Sequence, residues 1–140
     1  MTEAEALRAL AAAITDGWTE TPVFYAGQRG TPPAGAAYVV VTIRDLSNGG
    51  STLGRQGERA VDRRALLIAE VYEPIGEVDS SLPALERAAR FRAVLEGRAI
   101  PDTPGAKAVI VTDAATNRIG VVGGFYQVNV VLTHTYPATF

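Results

Sequence analysis

The chain has 140 residues, of which 47% are hydrophobic, and its formal net charge is −2. These values predict one globular domain over residues 1–140 with an adequate core, and they argue against nucleic-acid binding by the whole surface. The lack of cysteine excludes disulfides and thiolate chemistry, and a single histidine excludes a multi-histidine metal centre within one subunit. No apolar run approaches the ~18 residues of a membrane span, and the acidic N-terminus lacks a signal-like basic region. We therefore expect synthesis in the cytoplasm and no membrane partner.

The first predicted element is a helix that starts at residue 2. Thr2 and Glu5 have the spacing of a capping box, in which each side chain takes an unpaired amide of the first turn. Gly17 is placed to stop the helix. The apolar residues that recur on one helical face, and that we expect to face the core, are Ala6, Leu7, Leu10, Ala11 and Ile14.

Residues 21–25 form a short extended piece, which Pro22 confines to a sheet edge or a strand start. Residues 27–35 are rich in glycine and proline and predict a surface loop, and residues 38–44 are β-branched enough to predict a strand.

Residues 45–57 predict a long, polar, glycine-rich loop, which in a compact domain is typically functional or mobile. A phosphate-binding P-loop is rejected, because no Gly-Lys-Ser/Thr ends the stretch and no helix follows it. The side chains of residues 60–73 have the two-sided alternation of a long strand. The two strands that flank the loop are therefore expected to pair as a hairpin with a protruding tip.

A second helix is predicted from the capping residues at 79–81, with Pro83 in its first turn and Gly97 just past its end. We expect its apolar face to pack on the sheet. That face consists of Ala84, Leu85, Ala88, Phe91 and Leu95.

After a loop at 101–105, residues 108–112 and 119–122 predict two short strands, and residues 123–136 predict the last strand. The last strand alternates between an apolar and a polar side, and its apolar side is the most continuous in the chain. The apolar side, with Tyr126, Val128, Val130, Leu132, His134 and Tyr136, is expected to face the core. The other side is polar but almost uncharged, and it is a candidate channel or contact face; it carries Gln127, Asn129, Thr133 and Thr135.

Together these elements predict an α+β fold. We expect a mainly antiparallel sheet of about four strands, with the last strand inside it and both helices packed on one face.

Charge is unevenly distributed in the middle of the chain. The basic stretch contains Arg55, Arg59, Arg63 and Arg64, and the acidic stretch contains Glu70, Glu73, Glu77 and Asp79. Such segregation is consistent with complementary contacts between copies or with a partner, but solvated loops of either sign are the more common cause of such a pattern.

The sequence gives little support for catalysis. Glu70 interrupts an apolar strand, Asp113 lies near a strand end and His134 shares a face with core residues. An edge or interface position explains Glu70, turn chemistry explains Asp113, and packing in the core explains His134. No nucleophile elbow, metal-spaced pair or dinucleotide fingerprint is present. We expect a protein that is not an enzyme and that uses no cofactor or metal.

The order of these elements resembles the phage tail terminator proteins, the lambda-type minor tail proteins of long-tailed phages. The likeness covers residues 1–136, and it rests on the strand pair 37–43 and 63–74, the end of the second helix at 91–98, and above all on Gly-Phe-Tyr-Gln-Val-Asn-Val at 124–130. Residues 19–35 depart from that pattern, so no contacts are assigned there.

The resemblance implies a virion structural protein at the tail–neck junction. Terminators form a ring, commonly a hexamer, on the last ring of tail-tube protein. They stop tube polymerisation and offer a surface to the head-completion or stopper protein, while DNA passes through the lumen without sequence recognition. Two alternatives stay open: another neck component, such as a stopper or head–tail connector, and a small enzyme or ligand-binding domain that uses Glu70, Asp113 and His134.

Overall fold

The computed structural model describes residues 1–27, 31–32, 34–51, 60–76, 81–103, 105 and 107–139, and for residues 47–51, 60 and 139 it describes the backbone only. Within these residues two helices and six strands form an α+β fold. In chain order they are α1 (Glu3–Gly17), β1 (Val23–Tyr25), β2 (Tyr38–Ser51), β3 (Ala60–Pro74), α2 (Ser81–Leu95), β4 (Ala99–Pro101), β5 (Ala108–Val122) and β6 (Phe125–Thr139).

The strands form one sheet in the order β1-β2-β3-β6-β5-β4. The expectation of about four antiparallel strands is wrong in detail, because the sheet has six strands and β1 pairs in parallel with β2. Two of the additional strands, β1 and β4, are only three residues long. Three residues are too few to show an alternating pattern in a sequence.

The last strand lies inside the sheet, as predicted, between β3 and β5. It pairs with β3 in unbroken register from Phe125 to Thr139. Its core-facing residues Val128, Val130 and Leu132 are buried, as expected. By contrast, the two short strands expected at 108–112 and 119–122 are one strand, β5, whose register shifts twice along β6.

Both helices pack on one face of the sheet, which we call the covered face, as expected. The capping box of α1 is present, with the Thr2 amide donating to Glu5 at 3.0 Å and the Glu5 amide donating to Thr2 Oγ1 at 3.2 Å. Leu7 is not a core residue, since 44% of it is exposed. The buried residues of α1 are Ala6, Ala9, Leu10, Ala13 and Ile14.

The end of α1 is fixed against α2. Trp18 and Phe91 meet edge to face with ring centroids 5.1 Å apart, a geometry that favours aromatic pairs beyond simple burial. Gly17 is the last residue of α1, and a Cβ there would lie 2.7 Å from Cγ1 of Val94. The helix ends at Gly17, as predicted, and the glycine also allows close approach of the two helices.

The hairpin of β2 and β3 is confirmed as an antiparallel pair. The predicted glycine loop is wrong over residues 45–51, which continue β2; residues 52–59 lie outside the described part of the chain. Pairing with β3 overrides the weak strand propensity of this stretch. Two register shifts, between Asp45 and Asn48 and between Asn48 and Ser51, accommodate it.

Candidate assembly surface

The side of the sheet opposite the helices, here called the open face, is covered by no element of the described chain. Strand register places its residues in rows, because directly paired residues point to the same side. One row crosses the sheet from Thr42 through Ile68 and Val131 to Ala115. The next runs from Arg44 through Leu66 and Thr133 to Asp113. The centre of the open face is thus largely apolar.

The four polar residues predicted for a contact face do lie together on this side, but they are not fully solvated. Gln127 is buried, with 7% exposed, and its side-chain amide donates to Asn129 Oδ1 at 2.9 Å. Asn129, Thr133 and Thr135 are half-buried. Between them stands Val131, and β3 adds Leu66 and Ile68, so the surface is more apolar than β6 alone indicated.

An aromatic cluster closes one end of the open face. Tyr38 and Tyr72 stack at 4.6 Å, and Phe125 meets Tyr38 edge to face at 5.3 Å. Tyr72 donates its hydroxyl to Glu70 at 3.1 Å. Burial, then the charge and hydrogen bond of Glu70, raise the pKa of Tyr72 to about 12. Glu70 is not at a sheet edge, as one explanation of it required, because β3 lies between β2 and β6.

Within the described residues, much of the outer side of β2 and of β5 has no strand partner. β4 pairs only with residues 108–110 of β5, and the Val111 amide donates to Arg98 O. Beyond Val111, no strand of the described chain pairs with the outer side of β5, here called the β5 edge. Four exposed apolar residues lie on this strand: Ile110, Ile119, Val121 and Val122. Natural edge strands usually carry Lys, Pro, inward charges or bulges that prevent pairing with another chain; β5 has Asp113, Arg118 and two register shifts.

Of the eight charged residues predicted for an interface, the structure describes Arg63, Arg64, Glu70 and Glu73. Arg63 points to the covered face opposite Tyr136, whereas Arg64 points to the open face opposite Thr135. Glu73 is held inside the subunit by Arg87 of α2, with Nε and Oε2 2.7 Å apart. The predicted residues Arg55, Arg59, Glu77 and Asp79 lie outside the described residues.

The three residues considered for catalysis are not brought together. His134 faces the covered side, where it is 1% exposed, while Glu70 and Asp113 share the open face in different rows. In the described part of the chain no three His, Asp or Glu side chains are placed to hold a metal ion. Nor does any described helix have the length and apolar character needed to cross a membrane.

Comparison with known proteins gives the fold. No family model and no curated protein matches the sequence. One solved structure without a functional description is similar over 97% of this chain and 96% of its own, at 20% identity and a TM-score of 0.72. A second similar chain belongs to the virion of a native gene transfer agent particle, with 12% identity and a TM-score of 0.53 over 96% of this chain and 97% of that one. The chain therefore shares, end to end, a fold that is found in a phage-like virion particle.

Proposed function

We propose that this protein is a virion structural protein that caps the tail tube as a ring. The observation that carries the proposal is the end-to-end likeness to a chain of a gene transfer agent virion. It agrees with the resemblance of the sequence to tail terminators, which rests on different information, namely the residues at 124–130 and the order of elements. The proposed location is the tail–neck junction of a virion assembled in the host cytoplasm.

In a ring, one patch of each subunit contacts a different patch on the next subunit. The β5 edge and the outer edge of β2 lie on opposite sides of the sheet, so they are suited to such a head-to-tail contact. Exposed Val121 and Leu46 supply apolar area at the two edges, with 67% and 50% of each residue accessible. A hexamer is the proposed stoichiometry, on the family resemblance alone.

The open face is proposed as the surface for the tail-tube or the stopper protein. Its central row of Thr42, Ile68, Val131 and Ala115 favours contact with another protein over lining a water-filled channel. DNA would pass through the ring without being read by sequence. The role is structural, so it requires no catalysis and no cofactor.

Electron microscopy of the purified protein mixed with tail tubes tests the proposal. We expect rings on one end of each tube and shorter tubes when the protein is added during polymerisation. Val121→Lys, which adds a charge to the β5 edge, should abolish rings while the subunit stays folded. Leu82→Lys is the matched control, because Leu82 is 60% exposed on α2, away from both edges.

Binding only to portal-side proteins would replace the capping role with that of a stopper or connector. A protein that stays monomeric and ignores both tubes and portal complexes would contradict a structural role in the virion. Thermal stabilisation by a metabolite would then favour the ligand-binding or enzymatic alternative.

A further inference from the structure

A cavity of about 540 Å³ lies on the covered face between α1 and the outer part of β2. We call it the α1–β2 pocket. Leu7 and Ala11 line it from the helix, Ile43 lines it from β2, and Tyr25 lines it from the end of β1. Leu7 is 44% exposed, because the helix does not close over the sheet at this point. The pocket therefore offers apolar area beside the outer edge of β2.

The outer edge of β2 is free next to the pocket. β1 covers this edge only at residues 39–41, and the Val39 amide and the Val41 carbonyl are directed outward to it. Backbone groups alternate in direction along a strand, so those of Ile43 and Asp45 also point outward. No strand of the described chain pairs with them on that side. They are available to a strand of another molecule.

The β5 edge has a matching geometry. Val111, whose partner on β6 is His134, donates its amide outward to Arg98 O. The β5 partners of even-numbered β6 residues thus direct their backbone groups outward. The same partners carry their side chains on the covered face, because paired residues point to the same side. Beyond Val111 they are Ala114, Thr116, Arg118 and Val121.

The two edges therefore agree in side-chain side and in direction. On each edge, the residues with outward backbone groups have their side chains on the covered face, so pairing the edges keeps the helices of both subunits on one side of a continuous sheet. β2 and β5 also run in opposite directions, because three antiparallel pairs separate them. A neighbour advanced along the sheet thus presents its β5 antiparallel to β2.

The charges at the two edges are complementary. Glu3 and Asp45 line the α1–β2 pocket, and a hydrogen bond between them, then the charge of Asp45, raises the pKa of Glu3. Arg63 opposes this effect only in part. Arg118 is exposed on β5 and makes no ion pair with the described part of the chain. Each subunit thus has excess acid at one edge and an unpaired base at the other, as a head-to-tail contact requires.

We propose that β5 of each subunit adds to β2 of the next, with Val121 in the neighbour's α1–β2 pocket and Arg118 beside the neighbour's Glu3 and Asp45. The inference rests on the ring proposed above, and it names the contact that closes that ring. Val121 is the occupant because it is the most exposed large apolar residue described, at 67%, and its side chain lies on the covered face. The pocket of one subunit is complete only when the next subunit fills it.

One register satisfies both contacts. It sets Val121 opposite Ile43 and Arg118 opposite Asp45. The register shift that β5 already has after Arg118 takes up the extra residue between them. The turn at residues 123–124 then falls where β1 begins to cover the edge of β2, so the added strand ends where the free edge ends.

Disulfide trapping tests this register, because the native chain has no cysteine. In the proposed pairing Thr42 and Val122 are opposite each other at a non-hydrogen-bonded position, with Cα atoms about 4.5 Å apart. A chain with both Thr42→Cys and Val122→Cys should give a ladder of covalent oligomers on a non-reducing gel, ending at the closed ring. Arg44→Cys with Val122→Cys is the control, because its Cα atoms would lie about 8 Å apart, too far to link.

Exchange of charges tests the ion pair, with sedimentation velocity as the measure of assembly. Arg118→Glu should raise the subunit concentration for half-assembly at least about tenfold, since attraction becomes repulsion. Adding Asp45→Arg to the same chain should recover part of the loss, because a pair of reversed sign is formed. Arg64→Glu makes the same change at an exposed position of the open face, and it should assemble normally.

Exchange of size tests the pocket in the same assay. Val121→Ala removes apolar volume from the occupant and should raise the half-assembly concentration about tenfold. Ala11→Leu narrows the pocket and should also weaken assembly. The two changes together should cost less than the sum of the two alone, because a smaller side chain fits a smaller pocket. Ala12→Leu, exposed on the same turn of α1, is the control and should assemble normally.

The results separate this contact from the ring itself. If rings form but the cysteines at 42 and 122 link no better than the control pair, the contact is wrong and the ring proposal is unaffected. Equal assembly of Arg118→Glu and Arg64→Glu would also overturn the contact. A chain that is monomeric at every concentration, with and without tail tubes, would overturn both the contact and the ring.

Discussion

The two faces of the sheet are built from alternate residues of the same strands, yet they differ in how deeply their side chains are buried. On the covered face, Leu67 and Val130 are fully buried beneath the helices. Their neighbours on the open face, Ile68 and Val131, are also apolar but only half-buried, and neither described helix lies above them. The covered face thus stabilises the subunit, while the open face keeps apolar area available for contact with another molecule.

The largest effect should come from the covered face. Phe91→Ala removes a fully buried ring that contacts Trp18, and we expect it to lower the free energy of unfolding by about 3–5 kcal/mol. Val131→Ala on the open face should cost about 1 kcal/mol or less, because its side chain is only half-buried. Urea denaturation of the two variants measures the difference. Equal losses would mean that both faces contribute equally to the fold.

A second prediction concerns the contact between the two helices. Gly17→Ala should destabilise by about 1–3 kcal/mol, because the new methyl group meets the stiff Val94 side chain at 2.7 Å. In an open helix the same change would be neutral or stabilising. In a chain that already carries Val94→Ala, the Gly17→Ala change should cost much less stability than it does in the native chain. If Gly17→Ala stabilises the chain, the helices are not in close contact at that point.

These differences also explain how far the sequence could predict the molecule. Local patterns sufficed for the capping box, for Pro83 in the first turn of α2 and for the buried side of β6, because each depends on neighbours within one element. The apolar character of the open face arises from pairing Ile68 with Val131, and no local pattern contains that register. The parallel partner of β1 and the single long β5 were missed for the same reason.

A cavity of about 540 Å³ between α1 and β2 was missed, because helical periodicity treats all apolar positions of a helix face alike. Leu7 shares a periodic stripe with Leu10 and Ile14, but the position of α1 over the sheet leaves Leu7 above the cavity. His134 was correctly predicted to pack in the core, where it is buried.

A smaller effect is expected on the open face at alkaline pH. The pKa of Tyr72 is raised from 10.0 to about 12, so folding favours the neutral phenol. This contribution to stability is therefore present below pH about 10, and it is lost as the pH rises toward 12. Ultraviolet titration of the phenols should show a late step that Tyr72→Phe removes. Tyr126→Phe, on the covered face, should leave that step in place.

The smallest effect should come from an ion pair at the rim. Arg8 of α1 binds Asp102, just after β4, through two bonds, Nε to Oδ1 at 2.9 Å and the second nitrogen to Oδ2 at 2.8 Å. The hydrogen bond from Arg8 lowers the pKa of Asp102 below its usual 3.8. The stabilisation is accordingly present above that value, and it disappears as the pH falls through the lower pKa of the folded state.

Asp102→Asn should therefore be slightly less stable than the native chain at neutral pH, and the two should converge in strong acid. High salt should also bring them together, because exposed pairs are screened. Arg8→Gln should reproduce the loss, and the double variant should lose no more than either change alone. A difference that persists in acid would show that Asp102 acts by packing. In that case the contact between α1 and the end of β4 would stabilise the subunit by packing, as the residues of the covered face do.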